Sequence, residues 1–176
     1  MSSAVDLPHS QQADTSPTGV IDETETLAFP QDGIQPQVFH MFIHACGGRD
    51  MLQNLSTSEV CQKYLLPLTN STAQESYTEQ LRREKPATVG KATVFISHAW
   101  RFDFLSLVDV LLARYTDQLD GDVYLWFDLF SNNQHRASLL PFEWWCGTFK
   151  SAIRDIHHTV LVLEPWSDPI PFTRAW

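Results

Sequence analysis

Residues 92–97 read A-T-V-F-I-S, a short and nearly continuous apolar run bounded by Gly90 and by polar residues. A strand with one wet face would alternate; a run like this one reads as a strand covered on both faces. Directly after it, Phe104, Leu107, Val108, Leu111, Leu112 and Tyr115 recur at helical spacing and form one apolar stripe. A buried strand running into an amphipathic helix opens a parallel α/β layer, which removes most all-helical and all-β alternatives.

The same rhythm continues downstream. A second strand is expected over 123–127, announced by the Asp120–Gly121 turn and closed by Asp128. A second helix carries Trp145, Phe149, Ala152, Ile153 and Ile156 on one side, and a third, almost wholly apolar strand covers 159–163. Both connections reach the dozen or more residues that a parallel crossover needs. The predicted fold class is α/β: an incomplete doubly wound, flavodoxin-like parallel sheet preceded by a small helical segment. Three strands are few for a sheet, and the edge that would receive a fourth is bare and apolar. The chain therefore reads as a fragment, truncated at its carboxyl end.

Upstream of the strand the organisation is looser. Residues 1–35 hold six acidic side chains, no Lys or Arg, and many Ser, Thr, Gln and Pro. Such a segment buries too little apolar area to offset its ordering entropy, so it is expected to be a disordered acidic tail. Residues 36–88 form a small helical lead-in, and 89–176 the α/β domain. Within the lead-in, 37–45 is helical with Val38, Met41, Phe42 and Ala45 on one face, and Gly47–Gly48 stops it. Ser56 and Glu59 stand at capping-box spacing before a helix that Pro67 ends, and a third helix covers 71–84. None of the three is long enough to be stable alone, so they pack on the α/β domain.

The net charge of −9 argues against nucleic acid as a partner. No apolar run nears the ~18 residues of a membrane span, and the amino terminus lacks the basic start and apolar core of a signal peptide. Cys46, Cys61 and Cys146 are odd in number and widely spaced, which suits buried thiols in a reducing cytoplasm.

The motifs V-F-I-S (94–97), W-F-D (126–128), the helix over 149–156 with its following strand, and R-A-W (174–176) resemble, in order, those of the Toll/interleukin-1 receptor (TIR) domain superfamily. More narrowly, F-I-S-H-A-W, W-F-D-L-F-S-N-N-Q-H and P-F-E-W-W resemble a TIR-like group in multidomain proteins of algae and other protists, often followed by tetratricopeptide repeats. The resemblance implies a signalling and assembly module acting through protein contacts, including homotypic self-association. Its alternative is an NAD(P)+-cleaving hydrolase, with NAD as substrate or ligand. In TIR domains that cleave NAD, a glutamate lies four residues beyond the motif tryptophan. That position would fall past Trp176, so no catalytic residue is assigned and no resident cofactor or metal is expected.

Candidate ligand-binding residues are Ser97, His98, Trp100, Arg101, Asp128 and Trp176. The first four lie at the carboxyl end of the first strand, where open α/β sheets bind ligands. Arg101 could pair with phosphate and Trp100 could stack a base; equally, His98 and Trp100 could simply pack the loop. No glycine-rich phosphate loop follows the strand. Asp128 and Ser131–His135 open a long loop, which in TIR domains closes over ligand and mediates self-association, and which otherwise is a solvated loop with local caps. Ser97 and His98 are neighbours and leave a strand on opposite faces, which argues against a serine nucleophile with its base next door. His40, His44 and Cys46 would make at most half a zinc site. His157–His158 complements a helix carboxyl terminus. Trp144 and Trp145, beside Phe142, either pack the loop or form an interaction patch.

Overall fold

The computed structural model describes residues 29–70, 74–116 and 123–163. In chain order the elements are β1 (Asp32–Ile34), α1 (Val38–Ala45), α2 (Thr57–Val60), α3 (Leu66–Thr69), α4 (Tyr77–Glu84), β2 (Val89–Lys91), β3 (Val94–Ser97), α5 (Phe104–Tyr115), β4 (Leu125–Phe127), α6 (Asp128–Ser131), α7 (Phe142–Ile156) and β5 (Thr159–Leu161). The architecture is α/β with an open, five-stranded, mixed sheet in the order β2-β1-β4-β3-β5. β3 pairs in parallel with β4 and with β5, while β1 runs antiparallel to β2 and β4. The expected doubly wound, flavodoxin-like arrangement is present in β3, β4 and β5.

Alternation along the strands shows why the sheet needs helices on both sides. Val94, Ile96, Leu125 and Phe127 project into the larger core, against α1, α4 and α5. Phe95 and Trp126 project the other way and stack with centroids 4.8 Å apart, forming a thinner layer with Ala92 and Ala152. α5 and α7 thus cover opposite faces, so a strand such as β3 has no face left for water.

Two strands come from upstream. Residues 29–35 are not part of a disordered tail: Asp32–Ile34 is β1, with Ile34 fully buried and paired to Leu125. Gly33 permits this, because a Cβ there would stand 2.9 Å from the Leu125 backbone. Phe29 also stacks on Trp126 at 5.1 Å, and the Trp126 Nε1–H donates to the Pro30 carbonyl at 2.8 Å. Three long-range contacts that no periodicity announces therefore hold this segment. The rest of the expected tail, 1–28, lies outside the described residues.

The lead-in helices share one core with the sheet, running from Ile34 to Val162. In α1 the buried face is Val38, Phe39, Phe42 and Ile43, whereas Ala45 is exposed, so the helix is rotated from the expected stripe. Phe39 and Phe42 both reach Phe130, which draws that side inward. The stop is as expected: Gly48 N–H donates to the Ile43 carbonyl and Gly47 N–H to that of His44, with Gly47 at φ +95°.

Ser56 and Glu59 form the expected capping box. Pro67 does not end that helix. The five residues Cys61–Leu65 form a π turn between α2 and α3, with Leu66 N–H donating to the Cys61 carbonyl. Widening the ladder to five residues relieves the conflict between the proline ring and the carbonyl four residues back. The third helix starts at Tyr77 rather than 71, because Ser76 caps it through a second box with Glu79. Residues 71–73 are outside the described residues.

β5 departs from the doubly covered strand expected over 159–163. Thr159, Leu161 and Leu163 are exposed and Val162 is buried, a period-two pattern. Among the described residues β5 is the sheet edge, so the far side of it meets no neighbour. No described helix is long and apolar enough to cross a membrane.

Candidate ligand-binding cleft

At the carboxyl ends of β3 and β4 the chain encloses a cleft of about 630 Å³. β3 is the strand from which the order turns: its two parallel neighbours, β4 and β5, lie on opposite sides of it. Such a point leaves a crevice outside the strand ends, because successive crossovers depart in opposite directions.

Ser97 and His98 supply the floor at the end of β3, and Trp100 stands one residue beyond Ala99. The loop that carries them is tied to the start of α2. Ser58 N–H donates to the Trp100 carbonyl at 2.9 Å, Thr57 N–H to Phe102 at 3.0 Å, and Phe104 N–H to Leu55 at 2.9 Å. The loop is therefore held by backbone pairing to the lead-in. One further wall is the π turn itself, through Cys61 and Gln62, and another is α7, through the stacked pair Trp145 and Phe149 (centroids 5.7 Å apart, interplanar angle 27°).

Asp128 is the centre of the polar network. Its Oδ2 accepts from Trp100 Nε1–H at 2.6 Å, and its Oδ1 stands 3.7 Å from His98 Nδ1. Its carbonyl accepts from the Gln134 side chain at 2.7 Å. The His98 side chain is fully buried and packs on the Phe127 ring. The carboxylate thus braces the tryptophan against the floor of the cleft, with a charge-assisted bond of the stronger kind.

Cys61 is buried, and its thiol is pushed up to about 11, first by desolvation and then by the negative charge of Asp128. A nucleophilic cysteine needs the opposite shift, so this thiol is inert at neutral pH. His135 Nε2 lies 2.9 Å from the Thr69 hydroxyl. The segment after Asp128 is less loose than a long loop: it holds α6, a turn over 134–136 and a 3-10 turn at Ala137–Leu139.

Of the candidate residues, Ser97, His98, Trp100 and Asp128 come together in the cleft. Arg101 is exposed and is not among the lining residues, because the chain turns there toward the Phe102 bond with α2. Trp176 lies outside the described residues. His40 and His44 are exposed while Cys46 is buried, and no described group of three or more His, Cys, Asp or Glu could hold a metal ion. His157 adopts the left-handed conformation after α7, with its N–H donating to the Ile153 carbonyl. Trp145 lines the cleft, whereas Phe142 is 70 % exposed. Sequence reasoning did not include Cys61, Gln62, Leu66, Phe95 or Phe149 in the site. Phe95 and Phe149 carried core signals, and the other three lie on a helix whose position over the strand ends has no local signature.

The fold and the cleft define an open, doubly wound α/β protein with a cleft at its strand ends. Comparisons with protein-family models, curated proteins and solved structures returned no match.

Proposed function

We propose that the chain is a TIR-like signalling and assembly module that acts through protein contacts, including contacts with a second copy of itself. In this reading the cleft binds a small planar ligand and does not cleave it. One observation carries the non-catalytic part: Asp128 is the sole carboxylate among the described lining residues, and its Oδ2 is already bonded by the Trp100 indole, with His98 Nδ1 3.7 Å from Oδ1. Cleavage of NAD at the ribosyl carbon passes through an oxocarbenium-like state, which calls for a carboxylate turned toward that carbon. A carboxylate committed to bracing a tryptophan is a structural anchor. The aromatic lining favours the second reading, an NAD(P)+-cleaving hydrolase, to the extent that it suits a nicotinamide or adenine ring.

The test has two arms on the purified chain. Light scattering across a concentration series should show self-association, and incubation with NAD should release no nicotinamide. A monomer at every concentration would remove the assembly reading. Sustained nicotinamide release, abolished by Asp128→Ala, would make Asp128 catalytic and favour the hydrolase.

A further inference from the structure

The cleft also carries information about the charge of what it holds, an inference that rests on the reading of the cleft as a ligand site. Its fifteen lining residues include one group with a permanent formal charge, the Asp128 carboxylate. The field of that carboxylate reaches the opposite wall, since it is the second cause, after burial, of the raised Cys61 thiol. The two lining imidazoles are directed at protein neighbours, His98 Nδ1 toward Asp128 and His135 Nε2 toward Thr69.

The helix after the first strand of the parallel unit points the same way. In doubly wound nucleotide sites a phosphate sits at the amino terminus of this helix, on its exposed N–H groups. Here Asp103 caps α5, its Oδ1 accepting from Ser106 N–H at 2.8 Å. The Ser106 N–H at this helix terminus is thus already satisfied by a carboxylate of the chain itself. Arg101, the cation nearest in sequence to this turn, is outside the cleft lining.

The remaining lining suits a flat heterocycle. Trp145 and Phe149 present a stacked aromatic pair, Trp100 another ring, and Gln62, Asn132 and Gln134 are amides able to meet the donor and acceptor edge of a base. At about 630 Å³ the cleft falls in the range of small-molecule sites. We propose that the cleft takes an uncharged nucleobase or nucleoside and discriminates against the phosphorylated nucleotide. The basis is steric and electrostatic: stacking and amide contacts reward the ring, and Asp128, the one carboxylate of the lining, opposes added negative charge.

The experiment is isothermal titration calorimetry on the whole chain at pH 8, with adenosine, uridine, AMP, UMP and ADP-ribose as probes. A phosphate adds close to two negative charges, so at least one nucleoside should bind about tenfold or more tightly than its charged counterparts. Gln62 is an exposed lining residue, and Gln62→Lys should raise the ratio of AMP affinity to adenosine affinity about tenfold. Trp145→Ala should weaken nucleoside and nucleotide alike. AMP or ADP-ribose binding as tightly as adenosine, or UMP as tightly as uridine, would overturn the charge assignment, and no binding of either nucleoside would overturn the ligand class. Both failures are read independently of self-association and nicotinamide release, so they are distinguishable from failure of the module reading.

Discussion

Replacing Phe95 by Ala deletes one of the two sheet rings, with Trp126, that meet Phe149 of α7. Phe95 is 4 % exposed, stacks on Trp126 at 4.8 Å and 10°, and meets Phe149 edge-on at 5.9 Å. Removing at least about 150 Å² of buried ring at about 25 cal/mol per Å² forfeits ~4 kcal/mol of transfer free energy. Residual burial in the unfolded chain reduces this by roughly 10–40 %. The two lost ring contacts add about 0.5–1.5 kcal/mol each. A closed void would add more, but Phe95 also lines the cleft, so the space it leaves opens toward solvent. The expected cost is about 3–6 kcal/mol, which spans the ~3–5 kcal/mol range for large aromatic truncations. Urea unfolding followed by circular dichroism, with an unchanged slope, measures it. Phe142→Ala, at a position 70 % exposed, is the control and should stay within about 0.5 kcal/mol. A Phe95→Ala loss below about 1 kcal/mol, or one equal to that control, would refute the picture of a sheet closed on both faces.

Ser76→Ala removes a cap that accepts from Glu79 N–H at 3.1 Å, and should cost about 0.5–2 kcal/mol in the same assay; Ser106→Ala, whose hydroxyl caps nothing, should cost under about 0.5 kcal/mol. Stability should also fall in alkali. Burial holds the Cys46 thiol near 12 and the Tyr77 phenol near 12, and burial with the Asp128 charge holds Cys61 near 11, against ordinary values of 9.0, 10.0 and 9.0 respectively. The folded chain therefore keeps these protons after the unfolded chain has released them. The contribution is complete below about pH 9 and is lost as pH rises toward 11–12. Urea midpoints measured under reducing conditions should be level to pH 8 and decline above 9; a level or rising profile to pH 11 would contradict the burial of these groups.

Much of what the sequence determined is local. Helix α5 runs from Phe104 to Tyr115, the two ends of its apolar stripe, because a 3.6-residue period writes a buried face directly into the order of residues. The Ser56–Glu59 box and the Gly47 stop were legible for the same reason: each is closed by groups three to five residues apart. The end of β3 as a candidate site came from strand-to-helix rhythm, and Ser97, His98, Trp100 and Asp128 do meet there. Tertiary structure decided the rest. The three-residue segments D-G-I and V-G-K carry no period of their own, and they are strands because Ile34 pairs with Leu125 and Gly33 lets the backbones approach. Helix 57–69 survives Pro67 through a π turn whose register no propensity encodes, and that turn brings Cys61 and Gln62 over the strand ends. Arg101 leaves the cleft, although it comes directly after Trp100, because backbone bonds between residues 55–58 and 100–104 fix the path of the loop. Hydrophobic periodicity records which face of an element is buried; what it is buried against depends on contacts between residues far apart in the chain, which no local pattern contains.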